Sequence, residues 1–136
     1  MPLHYRGAVI KQLGNALGSL VRAGKGVRVR ASRAPAQPLH LWSFEASPYC
    51  RLVRERLTEL ELPYVLHNVA KEQRAELGRA RQRHPPPYVP VAGGKRAAHF
   101  ARTGHMQVPY LEDPNTDVKM LESAAILDYL ERTYAA

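Results

Sequence analysis

The chain has 136 residues, 45% of them hydrophobic, and a formal net charge of +8. This length provides one hydrophobic core of ordinary size but not two, and no apolar run reaches the roughly 18 residues of a membrane-spanning helix. The single cysteine, Cys50, excludes an internal disulfide and is typical of a reducing compartment, so we expect a cytoplasmic protein.

The positive charge lies mainly in two segments. Residues 1–44 carry seven lysines and arginines and no acid, and residues 71–105 carry eight such cations against two acids. These cations are not interleaved with aromatic residues, and no nucleic-acid-binding motif accompanies them, so we expect no nucleic-acid partner. We interpret residues 1–38 as a basic extension and residues 39–136 as the folded domain.

Within the extension, apolar residues from Val9 to Val21 recur at helical spacing and predict a short amphipathic helix. One interpretation is a helix docked on its own domain. The alternative is peripheral contact of residues 8–33 with a membrane surface or a partner. An acid-free, arginine-containing start is also typical of a transit peptide, so a peripheral-membrane or organelle location stands beside the cytoplasmic one. Residues 24–37 are predicted to form a flexible basic linker.

The domain begins with a strand, a break and a helix. An alternating pattern from Leu39 to Phe44 predicts the strand, and the chain breaks at Ser47-Pro48 before a segment of helical spacing. Ser47 therefore lies at the helix start, where free N–H groups and a partial positive charge can hold an anion or a thiolate. The apolar face of this helix is formed by Cys50, Val53, Leu57 and Leu60.

A second strand is predicted from Tyr64 to Val69, and a β-α-β unit makes the two strands parallel. Residues 71–83 predict a charged helix. Residues 84–107 are rich in proline and glycine, so we expect an inserted loop without regular structure there. Three histidines in this loop lack metal-ligand spacing, so we expect exposed side chains and no metal site. They are His84, His99 and His105.

The last third of the chain predicts a hairpin followed by a helix. Residues 108–111 and 118–121 predict the two strands, and the residue types of 113–117 are those of a turn. Glu122-Ser123 comes next, and apolar residues at helical spacing predict a final helix with Ser123 at or next to its N-cap.

Three motifs, in this order, resemble a known family. Ser47-Pro48-Tyr49-Cys50 resembles the Cys-Pro-Tyr-Cys motif of glutaredoxins with the first cysteine replaced by serine. Val108-Pro109 and Glu122-Ser123 are the other two motifs. The start of the first helix in serine-type glutathione transferases, Ser-x-x-x-Arg-x-Val-Arg, is matched by Ser47, Arg51, Val53 and Arg54.

Residues 39–136 are thus similar to the N-terminal domain of glutathione transferases. The resemblance implies an α/β, thioredoxin-like fold with the order β-α-β-α-β-β-α and a four-stranded mixed sheet flanked by helices. In this chain the amphipathic helix of the extension precedes that fold, and the loop 84–107 interrupts it.

The resemblance also implies glutathione as co-substrate and a role for each motif. The proline that matches Pro109 is cis in the family and turns the Val108 backbone toward the cysteinyl unit of glutathione. Glu122 would bind the γ-glutamyl ammonium, and Ser123 its carboxylate at the helix N-terminus. Tyr49 belongs to the same binding motif. The simpler interpretations are a helix cap for Ser123 and a turn former for Pro109.

Ser47 takes the catalytic position in this resemblance, with Cys50 as a second candidate. A charge-assisted hydrogen bond is worth about 1.5–3 kcal/mol and one pKa unit about 1.36 kcal/mol, so a donating hydroxyl lowers the pKa of the glutathione thiol by about one to two units. Because a hydroxyl forms no mixed disulfide, glutaredoxin-type disulfide reduction and iron–sulfur ligation are disfavoured. A packed, inert thiol is the simpler interpretation of Cys50.

The sequence leaves the activity open between two classes. The first is transferase-like conjugation of glutathione to an electrophile. In the family, a helical C-terminal domain supplies the second-substrate site and much of the dimer interface, whereas this sequence ends at Ala136, after the predicted final helix. The alternative is therefore a non-catalytic module that binds glutathione, a protein partner or a second copy of the chain.

Overall fold

The computed structural model describes residues 24–72 and 90–136. The helix predicted within residues 9–21, and nearly all of the one predicted at residues 71–83, lie outside this part of the chain. None of the described helices is long and apolar enough to cross a membrane. The described elements, in chain order, are β1 (Leu39–Ser43), α1 (Pro48–Glu59), β2 (Tyr64–Asn68), α2 (Lys95–Thr103), β3 (Tyr110–Asp113), β4 (Val118–Leu121) and α3 (Ser123–Tyr134).

The strands form one mixed sheet in the order β2-β1-β3-β4. β1 pairs with β2 in parallel, as the β-α-β pattern predicts, and β1–β3 and β3–β4 are antiparallel. The predicted thioredoxin-like fold is therefore confirmed in its element order and its four-stranded mixed sheet. β1 is central in the sheet, and its side chains Leu39 and Leu41 are fully buried in the core that the helices cover.

The main core lies between one face of this sheet and the helices α1 and α3. The periodicity of α1 predicted its inward face correctly, because Cys50, Val53 and Leu57 are all buried. Burial of Val53 or of Leu57 contributes about 1.5–3 kcal/mol relative to an exposed side chain. The rest of the core comes from the sheet, the end of α1 and α3: Leu39, Leu41, Leu60, Leu62, Leu111, Ile126, Leu130 and Tyr134.

The prediction of a loop without regular structure over residues 84–107 is wrong for its second half, because α2 occupies Lys95–Thr103. Glycines bound this helix. Gly94 is the N-cap, and Gly104 adopts the left-handed conformation at φ 73° while its N–H donates to the carbonyl of Phe100 at 2.7 Å. This is a common helix ending that a residue with a Cβ adopts only at a cost.

The expectation that His99 is exposed is also wrong. His99 is 1% exposed, and its Nε2 lies 2.8 Å from the carbonyl oxygen of Gln107, which can only accept a hydrogen bond. Burial lowers the pKa of His99, so the ring is neutral at pH 7. His105 is exposed, as expected, and His84 lies outside the described residues.

The predicted flexible linker is instead held against the domain. We call residues 24–33 the strap. The N–H of Arg30 donates to the carbonyl of Glu59 at 2.7 Å, and Ser32 forms an antiparallel bridge with Ala135 beside the end of α3. An ion pair between Arg30 and Glu131 adds to these contacts. The strap therefore packs across the C-terminal ends of α1 and α3.

Candidate functional site

The strand register brings the three sequence motifs to one edge of the sheet. Trp42 near the end of β1, Tyr110 at the start of β3 and Leu121 at the end of β4 are aligned across neighbouring strands. Residues that follow Trp42, precede Tyr110 or follow Leu121 therefore leave the sheet on the same side. We call this side the Ser47 edge, because the first motif begins there.

Ser47 is the N-cap of α1. Its Oγ accepts a hydrogen bond from the backbone N–H of Cys50 at 3.3 Å, and Pro48 occupies the first helical position, where no backbone N–H is needed. A serine hydroxyl carries one donor and two acceptor sites, so this bond leaves its proton available to an outside acceptor. Ser47 is partly exposed, which makes that donation accessible.

Cys50 lies three residues further along and is 1% exposed. Its Sγ accepts a hydrogen bond from the backbone N–H of Phe44 at 3.4 Å, which ties the start of α1 to the end of β1. This thiol is buried and not accessible to a ligand, so the geometry favours a packed, inert Cys50 over a catalytic one. Tyr49, by contrast, is 50% exposed on the first turn of the helix.

Val108 and Pro109 precede β3, which begins two residues later than the sequence predicts. The peptide bond between them is cis. Pro109 is fully buried, and Val108 is partly buried against a small cluster that includes Trp42 and Tyr110. The Val108 backbone therefore lies at the Ser47 edge, two residues before Tyr110 and beyond the β1–β3 pairing.

Glu122 is the N-cap of α3 and has an uncommon backbone conformation, with φ 75° and ψ 116°. Such an angle in a residue other than glycine costs of order 1–3 kcal/mol and is found mostly at functional sites. Its carbonyl accepts from the N–H of Ile126 at 2.9 Å, and its side chain is exposed. Ser123 opens the first turn of the helix and is partly exposed.

A further residue at this edge is Gln107, which the sequence reasoning did not single out. Its side-chain Nε2 donates to Oε1 of Glu122 at 2.8 Å and joins the second motif to the third. A carboxylate has about four acceptor positions, so Glu122 keeps acceptor capacity for a cation. The position of Gln107, directly before Val108-Pro109, is the signal in the sequence that could have pointed to it.

The other face of the sheet carries a layer of paired polar and aromatic groups. Trp42 stacks on His67 at 4.1 Å between ring centroids, and the guanidinium of Arg102 lies 5.0 Å from the Trp42 ring. Burial raises the pKa of Glu112, but hydrogen bonds from Tyr110 and Arg102 outweigh it and hold that pKa below its usual value. Each of these groups has a partner within the layer, so we assign it a structural role.

A groove of about 430 Å³ opens between β2 and α2, beside this layer. It is lined by Trp42, Leu66, His67, Asn68, Val69, Lys95, Ala98, His99 and Arg102. None of the three motifs lines it, although Trp42 and Val69 lie at the same end of the sheet as the Ser47 edge. Among residues 24–72 and 90–136, no three side chains of His, Cys, Asp or Glu are grouped to hold a metal ion.

Comparison with known proteins points to one family. The sequence model of the family described as the N-terminal domain of glutathione S-transferase matches residues 41–136. Among solved structures, a glutathione transferase of Bombyx mori, determined in complex with GTT, is 23% identical with a TM-score of 0.48. The alignment covers 76% of this chain and 39% of that chain. A comparison with curated protein sequences gives no match.

The matched segment begins within β1, continues to the last residue and includes all three motifs of the Ser47 edge. It covers well over half of the chain. The chain belongs to the glutathione S-transferase N-terminal domain family.

Proposed function

We propose that the chain binds glutathione along the Ser47 edge, with the sulfur facing the hydroxyl of Ser47. Membership of the family supports glutathione as the ligand. The observation that carries the proposal is the hydrogen bonding of Ser47. Its Oγ accepts the N–H of Cys50, and its own proton stays free to donate to a ligand. A thiolate at that point also gains from the unpaired N–H groups at the start of α1.

The energy available is enough to ionise the bound thiol near neutral pH. A hydrogen bond to a charged acceptor is worth about 1.5–3 kcal/mol, and one pKa unit corresponds to about 1.36 kcal/mol. A thiol with an ordinary pKa of about 8.5 then ionises with a pKa of about 6.5–7.5 when Ser47 donates to it. The result is a nucleophilic thiolate without any change in the oxidation state of the protein.

The remaining parts of glutathione have matching groups at the same edge. The γ-glutamyl ammonium meets the exposed carboxylate of Glu122, and its carboxylate meets Ser123 and the N-terminal N–H groups of α3. The backbone of Val108 pairs with the cysteinyl unit, as a neighbouring strand would. Gln107 orients the Glu122 side chain through their 2.8 Å hydrogen bond.

A second candidate is a non-catalytic module that binds glutathione or a protein at the same edge. Two apolar side chains on the first turns of α1 favour it, because Tyr49 is 50% exposed and Leu52 is 37% exposed. A protein partner or a second copy of the chain would cover them. Peripheral membrane contact is a separate proposal, since glutathione binding does not require it.

The test is titration of the full chain with reduced glutathione, followed by backbone NMR and by the ultraviolet absorbance of the thiolate. We expect shifts confined to residues near 47, 108 and 122, and a bound-thiol pKa at least about one unit below that of free glutathione. Ser47→Thr keeps a hydroxyl and should retain the thiolate signal. Ser47→Gly keeps most of the helix cap but has no hydroxyl, so it should lose that signal.

Turnover of a chlorodinitrobenzene-type electrophile separates the two candidates. Turnover that Ser47→Gly abolishes supports the transferase-like function, whereas binding without turnover supports the non-catalytic module. Absence of any shift at millimolar glutathione would exclude both glutathione proposals. Shifts that centre on the groove between β2 and α2 would move the binding site away from Ser47.

A further inference from the structure

The strap presents an unusual surface, because it carries cations and exposed valines but no acid. Val27 and Val29 are each 67% exposed, more than any other large hydrophobic residue in the described part of the chain. Lys25, Arg28, Arg30 and Arg33 lie among and beside them. Aliphatic side chains interleaved with cations are typical of surfaces that rest on a lipid bilayer.

The backbone of the strap is held by hydrogen bonds to the domain, so the exposed valine side chains have a fixed position. The N–H of Gly26 donates to Oε1 of Glu59 at 2.9 Å, and the hydroxyl of Ser32 donates to the carbonyl of Leu60 at 2.6 Å. Gly26 also passes close to α1, because a Cβ at that position would lie 3.0 Å from Cγ of Glu55. These contacts hold the strap at both ends and leave the side chains between them directed outward.

The charge of the strap is only partly neutralised. Arg30 forms ion pairs with Glu131 and Glu59. Within residues 24–72 and 90–136, no carboxylate forms an ion pair with Lys25, Arg28 or Arg33, and these side chains are exposed. Three cations are therefore available to an anionic surface on the same segment that presents the two valines.

We infer that the strap is a docking element for an anionic lipid bilayer. Val27 and Val29 enter the boundary between headgroups and acyl chains, while Lys25, Arg28 and Arg33 contact acidic headgroups. A bilayer fits better than a single-stranded nucleic acid. Proteins bind such strands by stacking the bases on aromatic side chains, whereas the exposed apolar residues of the strap are aliphatic. The inference is independent of the proposed glutathione site, which uses other residues.

The experiment is co-sedimentation of the full chain with vesicles of phosphatidylcholine and phosphatidylserine in equal parts, against vesicles of phosphatidylcholine alone. We expect binding only to the mixed vesicles. Val27→Ser combined with Val29→Ser should weaken that binding by about tenfold, and Arg28→Gln by about fivefold. The matched controls are Val91→Ser, which alters a valine 58% exposed elsewhere, and Lys119→Gln, which removes an exposed cation of β4.

Each outcome decides the inference. Loss of binding in the strap variants but not in the controls supports it. Absence of binding by the unaltered chain overturns it, as does equal binding by the strap variants and the controls, because contact would then lie elsewhere. Vesicle binding that Arg28→Gln weakens but the two valine substitutions leave unchanged also overturns it. Unchanged thermal midpoints and glutathione titrations of the strap variants exclude a folding defect as the cause.

Discussion

Ser47 has two roles in this structure, and they can be separated by substitution. Its Oγ accepts the N–H of Cys50 and so completes the start of α1, while its proton is available to a ligand. A change to alanine removes both functions at once. A loss of glutathione chemistry in that variant would therefore be ambiguous without a measurement of stability.

We predict that Ser47→Ala lowers the free energy of unfolding by about 1 kcal/mol, whereas Ser47→Gly lowers it by only a few tenths. Glycine leaves the N–H groups of the first turn accessible to water, which partly replaces the cap. Urea unfolding followed by circular dichroism measures both changes. Thr58→Ala, which alters an exposed threonine of α1, is the control and should change the stability by less than about 0.5 kcal/mol. A Ser47→Ala variant as stable as the unaltered chain would mean that the hydroxyl does not cap the helix.

The individual site residues were predictable to different degrees. Ser47 could be located because serine before proline marks a helix start whatever the tertiary structure is. The position of Gln107 directly before Val108-Pro109 indicates the same edge, but its 2.8 Å contact with Glu122 could not be predicted, because no local pattern encodes that distance. The burial of Cys50, by contrast, was predictable from its place on the apolar face of α1, whereas its hydrogen bond with the Phe44 N–H was not.

The helices of this domain differ in how well their sequences predict them. α1 was predictable because its inward side chains are apolar and recur at helical spacing. α2 was not, because the side chains it buries are Arg96 and His99. Arg96 is buried through a 2.9 Å hydrogen bond from its Nε to the carbonyl of Ala70, a partner that only the folded chain supplies. A polar inward face removes the periodic signal on which the prediction rests.

The attachment of the strap depends on a few polar contacts, and Glu131 links one of its residues to α1 and α3. Glu131 forms ion pairs with both Arg30 of the strap and Arg56 of α1. Exposed ion pairs contribute about 0.2–1 kcal/mol each, so loss of this carboxylate should loosen the strap without unfolding the domain.

We predict that Glu131→Gln makes trypsin cleavage after Arg30 about threefold to fivefold faster under native conditions. Mass spectrometry of the early fragments measures that rate. Asp128→Asn, one turn earlier on α3, removes a pair with Arg132 that does not touch the strap and should leave the rate unchanged. The difference between the two variants should shrink in about 1 M salt, because the Debye length then falls to about 3 Å. Equal rates at low salt would show that the strap is held by its other contacts and does not depend on Glu131.

At the scale of the whole molecule, the order of the elements was predictable from the sequence. How the three motifs come together was not, because that depends on which strands pair in the sheet. The motifs are separated by more than 50 residues between Ser47 and Val108. They meet because β3 runs antiparallel to β1, which puts the start of one strand beside the end of the other. The β-α-β pattern and the hairpin turn predict the β1–β2 and β3–β4 pairings, but no local pattern predicts that β3 lies beside β1. That step came only from the family resemblance.

The network around Asp113 links three separate parts of the molecule. Its buried carboxylate accepts hydrogen bonds from the hydroxyls of Tyr129 and Tyr134 of α3, at 2.6 and 2.5 Å. It also accepts the backbone N–H of Asn115 at 2.9 Å, and Asn115 in turn binds the backbone of Gln37. One side chain thus joins the hairpin, the last helix and the segment that follows the strap.

Acid stability of the whole fold should depend on this carboxylate. Burial alone raises the pKa of Asp113, but the hydrogen bonds from Tyr129, Tyr134 and Asn115 outweigh it and hold that pKa below the ordinary value of 3.8. A pKa that is lower in the folded than in the unfolded chain means that the stabilisation is complete above about pH 4 and is lost as the pH falls through the folded value. Tyrosine hydroxyls donating to a neutral acid are weaker partners, so unfolding becomes easier in acid.

We therefore predict that the free energy of unfolding falls steeply below about pH 4, and that Asp113→Asn both flattens this fall and costs about 3 kcal/mol at pH 7, since bonds to a charged acceptor are lost. Urea unfolding measured from pH 7 to pH 2 gives both quantities. The control is Asp117→Asn, in the same hairpin turn, because Asp117 is exposed and asparagine tolerates its φ of 58°. If the two variants had the same pH dependence, the acid sensitivity would arise from other carboxylates. The hydrogen bonds around Asp113 would then stabilise the fold equally well whether or not that side chain is charged.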